Sequence, residues 1–195
     1  MNKRNVIFAV LMIIVFASCK KDSTDQSPSV VNTKDFLVNG NPSGGHYNFF
    51  SFETAAEIVA ADSASNKWDF AIRFETFIVN SNASGPGNAG VQIINQPFEA
   101  IATAPTNSYK FDTTVSQKAI KGADWYTYNP TTRSFSPIAG KTFVFRTATG
   151  KYAKLEMISA DPADDAGNLV VPPTRPTKIK YKIRVAFQGN GGFNF

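Results

Sequence analysis

The sequence predicts an all-β protein, a single domain of many short antiparallel strands packed as a sandwich or a flattened barrel. Three observations lead there. Apolar residues recur at every second position in several segments, the period of a strand with one face in a core. No run of apolar residues at i, i+3, i+4 and i+7 is long enough to mark an amphipathic helix. From Asp35 onward Gly, Pro, Asn and Thr punctuate the chain, which is the chemistry of turns.

Taken in order, Phe36–Asn39, Tyr47–Phe52 and Glu57–Ala60 read as strands. Trp68, Phe70, Ile72 and Phe74 then alternate with Asp69, Ala71, Arg73 and Glu75, which predicts a strand whose one apolar face carries the tryptophan. Phe77–Asn80, Gly90–Asn95 and Trp125–Tyr128 are further strands. The stretch T142-F-V-F-R-T-A-T-G-K-Y-A-K-L-E-M157 predicts a hairpin closed at Thr149-Gly150. In it Phe143 and Phe145 share one face, and Ala153, Leu155 and Met157 share another. In the last strand Ile179, Tyr181, Ile183, Val185 and Phe187 alternate with Lys178, Lys180, Lys182, Arg184 and Ala186. A basic outer face of this kind keeps an antiparallel sheet soluble and its edge unattractive to other chains. The Gly-rich Ser81–Ala89 reads as a hairpin loop and Pro162–Pro176 as an exposed loop. No internal repeat is visible.

The N-terminus fixes the compartment. Lys3 and Arg4 precede the apolar run Val6 to Phe16, and Ala17-Ser18 stand before the only cysteine, Cys19. A basic head, a short apolar middle and small residues at a cut site make a secretory signal. The run is too short for a membrane-spanning helix, which needs about 20 residues. The small pair before Cys19 resembles a bacterial lipobox, with Phe16 where Leu is usual; an ordinary cleaved signal leaving a free thiol is the alternative. The chain therefore divides into a signal at 1–18, an acylated Cys19 with a polar tether at 19–33, and one domain at 34–195. Lys20-Lys21-Asp22 resembles the charged export signals of surface lipoproteins of the Bacteroidetes. The signal holds two of the 20 basic residues and none of the 15 acidic ones, leaving a net +3 on the 177 residues that follow it. That charge is mild and scattered, which argues against a nucleic-acid partner.

Catalytic chemistry is scarce. His46 is the only imidazole, it opens an aromatic strand, and no serine sits in a nucleophile-elbow context. With Cys19 acylated there is no thiolate, and the three or four N or S ligands of a zinc site are lacking. Asp161, Asp164 and Asp165 offer oxygen ligands for calcium without the spacing of an EF-hand, and otherwise read as a solvated turn. Ser84–Gly90 is glycine-rich, but no helix follows it to bind phosphate. The residue set is that of a binding protein and not of an enzyme.

Four blocks in order resemble the HmuY family, the haem-binding lipoproteins of Bacteroidetes. They are Y47-N-F-F-S-F52; W68-D-F-A-I-R-F-E-T-F-I-V-N80 with its glycine-rich loop; F98-E-A-I-A-T-A-P-T-N-S-Y109; and W125-Y-T-Y128 with F143-V-F-R-T-A-T-G-K-Y-A-K-L155. The likeness covers most of residues 45–187. It implies an all-β scaffold, haem or another tetrapyrrole as ligand, and a place on the outer membrane or cell surface held only by the lipid anchor. An outer-membrane TonB-dependent receptor is the partner it suggests.

The resemblance also implies where a haem would sit. The family's founding member clamps iron between two histidines, and some relatives use methionines. Here the second ligand position falls at Asn129 or Pro130, and the first lies between Tyr109 and Gly122, where there is no His or Met. Tyr126 and Tyr128 flank the second position and Tyr109 stands on the other side. Tyr128 is the candidate iron ligand, since a phenolate can serve as one. Lys118, Lys121 and Arg133 are candidates for pairing with propionates, and Arg133 and Lys121 also for favouring the phenolate. Met157, the remaining methionine, shares a face with Ala153 and Leu155 and reads as core. A surface adhesion or interaction module that has lost haem binding is the rival reading, and a structural partner of an outer-membrane receptor is a third.

Cys19→Ser is expected to abolish acylation, so that the mutant no longer enters the detergent phase in a two-phase extraction. A mutant that still partitions as a lipidated protein rules out the lipobox.

Overall fold

The computed structural model describes residues 30–132, 134–171 and 174–195. The signal segment, Cys19, Lys20 to Ser29 and Arg133 lie outside the described residues. Among the described residues eleven strands form three antiparallel sheets, with no closed barrel. They are β1 (Val30–Asn39), β2 (Asn48–Ser51), β3 (Ala56–Ile58), β4 (Phe70–Arg73), β5 (Thr76–Val79), β6 (Gly90–Ile94), β7 (Tyr126–Asn129), β8 (Ser134–Pro137), β9 (Thr142–Arg146), β10 (Tyr152–Ala163) and β11 (Lys178–Gln188). A five-stranded sheet has the order β1-β11-β10-β9-β6, a four-stranded sheet the order β3-β2-β4-β5, and β7 pairs only with β8. One helical turn, α1 (Gly122–Trp125), leads into β7. Of the two shapes expected, the sandwich is the one that forms.

β1 starts earlier than the composition suggested. Val30 pairs with Phe187 and Val31 with Ala186, so the strand begins inside the polar stretch read as tether. Ladder hydrogen bonds to β11 compensate for the absence of a sustained apolar period there. β8 was not foreseen at all; its core contact is one residue, Phe135, which is buried.

The sheets meet through phenylalanines. Phe52 and Phe70 from the smaller sheet's side lie 4.9 and 5.6 Å from Phe145 of β9, and Phe77 lies 6.1 Å from Phe143. Phe50, Phe52, Phe70, Ile72, Phe77 and Val79 face Phe143, Phe145, Leu155, Tyr181 and Ile183 in one cluster. In the β9–β10 hairpin Ala153 pairs with Phe145 and Leu155 with Phe143, so the two sets of residues read as sharing separate faces point into this one core. Cross-strand partners always share a face. Gly150 has φ +84°, as the tight hairpin turn requires.

The Trp68 strand corrects the expected pattern. Phe70 and Ile72 enter the main core, but Trp68 packs with Phe49, Ala71 and Ile78 on the opposite face, 4.9 Å from the Phe49 ring. The face read as polar is buried because residues 60–67 fold across it, with the Trp68 indole N–H donating to Ser63 O at 2.9 Å. Phe74 leaves the strand altogether. It adopts φ +50° in the β4–β5 turn, held there by its N–H on Asn39 O (2.8 Å) and its carbonyl under the Tyr181 hydroxyl (2.5 Å). A bulky residue in the left-handed region persists only where the surroundings over-determine it.

Two buried carboxylates organise the loops. Asp69 accepts the backbone N–H of Phe52 (2.7 Å) and of Ala148 (2.8 Å), joining the smaller sheet to the β9–β10 turn. Asp112 accepts Val79 N (3.1 Å), Ala119 N (2.7 Å) and Ser84 Oγ (2.7 Å), and Lys118 Nζ stands 3.7 Å away. Of the acidic stretch, Asp161 lies in β10 and Asp164 opens a turn, accepting the N–H of Ala166 and Asn168, each at 2.9 Å. No cluster of three metal-ligating side chains occurs among the described residues.

Trp68→Ala should lower stability by roughly 3–5 kcal/mol, as for other buried large-to-small changes; an unmoved melting midpoint would show that the indole is not packed as described. Asp69 gives a pH signature. Burial raises its carboxyl from 3.8 to about 6, against the two backbone donors that favour the anion. The folded state then binds a proton that the unfolded chain has lost, so this contribution is complete below about pH 4 and lost as pH rises through about 6. The shift corresponds to roughly 3 kcal/mol at most. Urea midpoints between pH 4 and 7 should fall for the parent more steeply than for Asp69→Asn; parallel profiles would refute this role.

Candidate functional site

The hairpin β7–β8 caps one end of the sandwich. Asp124 accepts the Lys121 N–H at 3.0 Å and so starts the turn of α1, which delivers Trp125 into the core with 1% of its surface exposed. The Trp125 ring lies 5.3 Å from Phe77, 5.8 Å from Phe135 and 6.1 Å from Tyr181. Tyr126 follows, 4.8 Å from Trp125 and 5.3 Å from Phe135. Gly122 is what lets it fit, since a Cβ there would meet the Tyr126 ring at 2.8 Å.

Alternation puts Tyr126 and Tyr128 on the same side of β7, but the strand runs off the end of the core between them. Tyr126 is partly buried, and burial first and the Glu75 carboxylate second push its phenol up, so it stays protonated. Tyr128 is 57% exposed. Asn129 is committed to the turn, its Oδ1 accepting Thr131 N (2.9 Å) and Thr132 N (3.3 Å). Thr127 is exposed.

The two lysines differ in availability. Lys118 is drawn inward to Asp112 and donates to Ser84 Oγ at 2.8 Å, which leaves it a structural partner of a buried carboxylate. Lys121 is exposed beside α1. Met157 is 6% exposed and packs in the core. His46 is exposed and lines a shallow hollow with Tyr47 and Glu57.

Tyr109 does not join this end. Its ring lies 6.2 Å from Tyr152, and its hydroxyl donates to Pro105 O at 2.8 Å. Burial, and then the neighbouring Tyr152, push the phenol well above its ordinary value. Tyr126 belongs with Trp125 and Tyr181, and Tyr181 pairs with Ala160. From Tyr152 to Ala160 along β10 is roughly 25 Å at strand rise. The two sides of the expected pocket are therefore at different places on the fold.

Sequence reasoning passed over Glu75. Read as one of the polar residues alternating along a strand, it sits at the β4–β5 turn near Tyr126 and Tyr181, with burial raising its carboxyl. Its Oε2 and the Trp125 Nε1 are buried without a hydrogen-bond partner among the described residues. This end of the molecule thus carries one unused acceptor and one unused donor among the described residues. Only the fold of the 73–76 turn brings Glu75 there, so no local pattern marks it.

The architecture defines the class: an open two-sheet antiparallel β protein with a hairpin appended to one end. The model of the HmuY protein family matches residues 44–170, and the chain belongs to the HmuY family. Among solved structures it is similar to the apo form of the HmuY analog TFO of Tannerella forsythia, at 14% identity and a TM-score of 0.52, over 82% of this chain and 98% of that one. It is also similar to apo PinO of Porphyromonas gingivitis, at 14% identity and a TM-score of 0.50, over 80% and 97%. These likenesses establish the fold. No curated protein matches the chain.

Proposed function

We propose that this protein is a lipid-anchored cell-envelope protein that captures haem, or a related tetrapyrrole, at the β7–β8 end of the sandwich and takes part in haem and iron acquisition. The observation that carries the reading is the exposed Tyr128 phenol on a hairpin anchored by Tyr126 and by Phe135, its partner across the strands, in a chain of the HmuY family. The residues fit capture from one side. Tyr128 would supply a single axial oxygen, and the free Lys121 ammonium would meet a propionate. Asn129, Lys118 and Tyr109 are each engaged elsewhere, so a clamp from two sides does not fit. Trp125 Nε1 and Glu75 Oε2 add polar groups without partners close by.

A bound ferric iron would favour the anionic phenolate, whose hard oxygen stabilises the higher metal charge. The protein's own part is to present the phenol at the hairpin and to keep water from the aromatic face beneath it. The lipid on Cys19 would hold the protein at the membrane surface, where a TonB-dependent receptor is a fitting recipient. An adhesion module on the same scaffold is the second reading, favoured by the engagement of three expected ligand-side residues in structural contacts.

Haemin titration of residues 20–195, followed by Soret absorbance, tests the proposal. A saturable shift at micromolar haemin is expected, with Tyr128→Phe weakening ferric binding and altering the spectrum and Thr127→Val doing neither. A flat titration overturns haem capture; a normal shift in Tyr128→Phe overturns tyrosine ligation.

A further inference from the structure

The outer face of the larger sheet carries a notch that the tetrapyrrole reading leaves unused. Gly90 of β6 pairs with Arg146 of β9, and Arg146 pairs in turn with Tyr152 of β10, so three residues form one row across the sheet. Phe145 and Ala153, their chain neighbours, face the core, which turns Arg146 and Tyr152 outward. On the far side Lys110 bridges to Val91 through two backbone hydrogen bonds of 2.9 Å. That bridge sets Tyr109 and Phe111, one residue to either side, against Gly90. A Cβ at Gly90 would meet Phe111 Cε1 at 2.8 Å and Tyr109 Cβ at 2.9 Å, so glycine at this position is what lets these two side chains close in beside the row.

The result is a cleft of about 330 Å³ lined by Arg146 and aromatic side chains. Tyr109, Phe111 and Tyr152 line it, each partly exposed, with the Tyr109 and Tyr152 rings 6.2 Å apart. The rim is the turn Thr106-Asn107-Ser108, which the Gln92 side chain ties down by donating to Asn107 O. Ser108 holds φ +63°, a left-handed conformation uncommon outside glycine. No carboxylate lies within ion-pair distance of Arg146 among the described residues, whereas Arg184 is paired with both Glu99 and Glu156.

Each part of the cleft selects a feature of a ligand. An unpaired guanidinium presents a planar fork that matches a carboxylate. Flat aromatic walls bury the apolar face of a ring. The Thr106 and Ser108 hydroxyls and the Asn107 amide supply donors and acceptors suited to ring hydroxyls. We infer that this cleft binds a carboxylate-bearing sugar ring of the uronic acid type, with the carboxylate on Arg146 and one face of the ring against the Tyr109–Tyr152 aromatic surface. The site is separate from the β7–β8 hairpin and stands or falls independently of haem capture.

Saturation-transfer NMR on the full chain in detergent micelles, with sodium glucuronate as probe and glucose and benzoate as comparators, tests it. Glucuronate should bind at least tenfold more tightly than either comparator, because glucose lacks the charge and benzoate the hydroxyls. Arg146→Gln should weaken glucuronate at least tenfold, Arg146→Lys less, since a point charge remains without the fork. Asn107→Ala, at an exposed position the core does not use, should weaken it several-fold with an unchanged melting midpoint. Equal binding of glucose, equal or tighter binding of benzoate, no glucuronate signal, or parental affinity in a folded Arg146→Gln would each overturn the assignment.

Discussion

A carboxylate sealed between two sheets is the constraint on which the rest of this structure turns. Asp69 is 5% exposed and holds one backbone N–H from each side of the sandwich, Phe52 before the β3 loop and Ala148 in the β9–β10 turn. Neither donor has another use in the region, and leaving a buried donor unmet costs about 1–3 kcal/mol. The charge is expensive to bury, which is why its proton affinity rises. The bridge nevertheless fixes how the two sheets are placed, and with it the contact of Phe52 and Phe70 with Phe145.

Asp112 plays the same part for the loops. By gathering Val79, Ser84, Ala119 and Lys118 around one fully buried side chain, it ties the glycine-rich 81–89 segment to the 112–119 segment. This consumes Lys118, a cation that would otherwise be free at the surface. A structural demand inside the scaffold has thus removed a residue from the ligand-side inventory. The hairpin β7–β8, held to the sandwich by Trp125, Tyr126 and Phe135, is the element left free to differ in function while the two carboxylates keep the frame.

The two proposed sites follow from opposite features of the fold. At the β7–β8 end the strand outruns the core, so one tyrosine is packed and the next is presented. At the β6 edge a glycine lets Tyr109 and Phe111 pack close beside the row that carries Arg146. Both depend on where the core stops, which makes them sensitive to small changes at Gly122 and Gly90, where a side chain would collide with Tyr126 or with Tyr109 and Phe111.

The all-β class, most of the strands, the Thr149-Gly150 turn and membership of the HmuY family were all legible in the amino-acid order. They depend on short-range properties: a two-residue apolar period, the conformational freedom of glycine, and the order of short motifs. What the tertiary structure alone decided is which face each strand buries and which side chains meet. Trp68 obeys the period of its strand yet packs on the other side, because residues 60–67 cover a face that alternation marks as polar. Tyr109 and Tyr126 look like two walls of one pocket in sequence but lie at opposite ends of β10. Glu75 and Arg146 carry no local signature, since their importance comes from partners brought across turns and sheet rows. Alternation reports what lies one pleat away; it carries no information about loops that fold back or about the row of strands beside it.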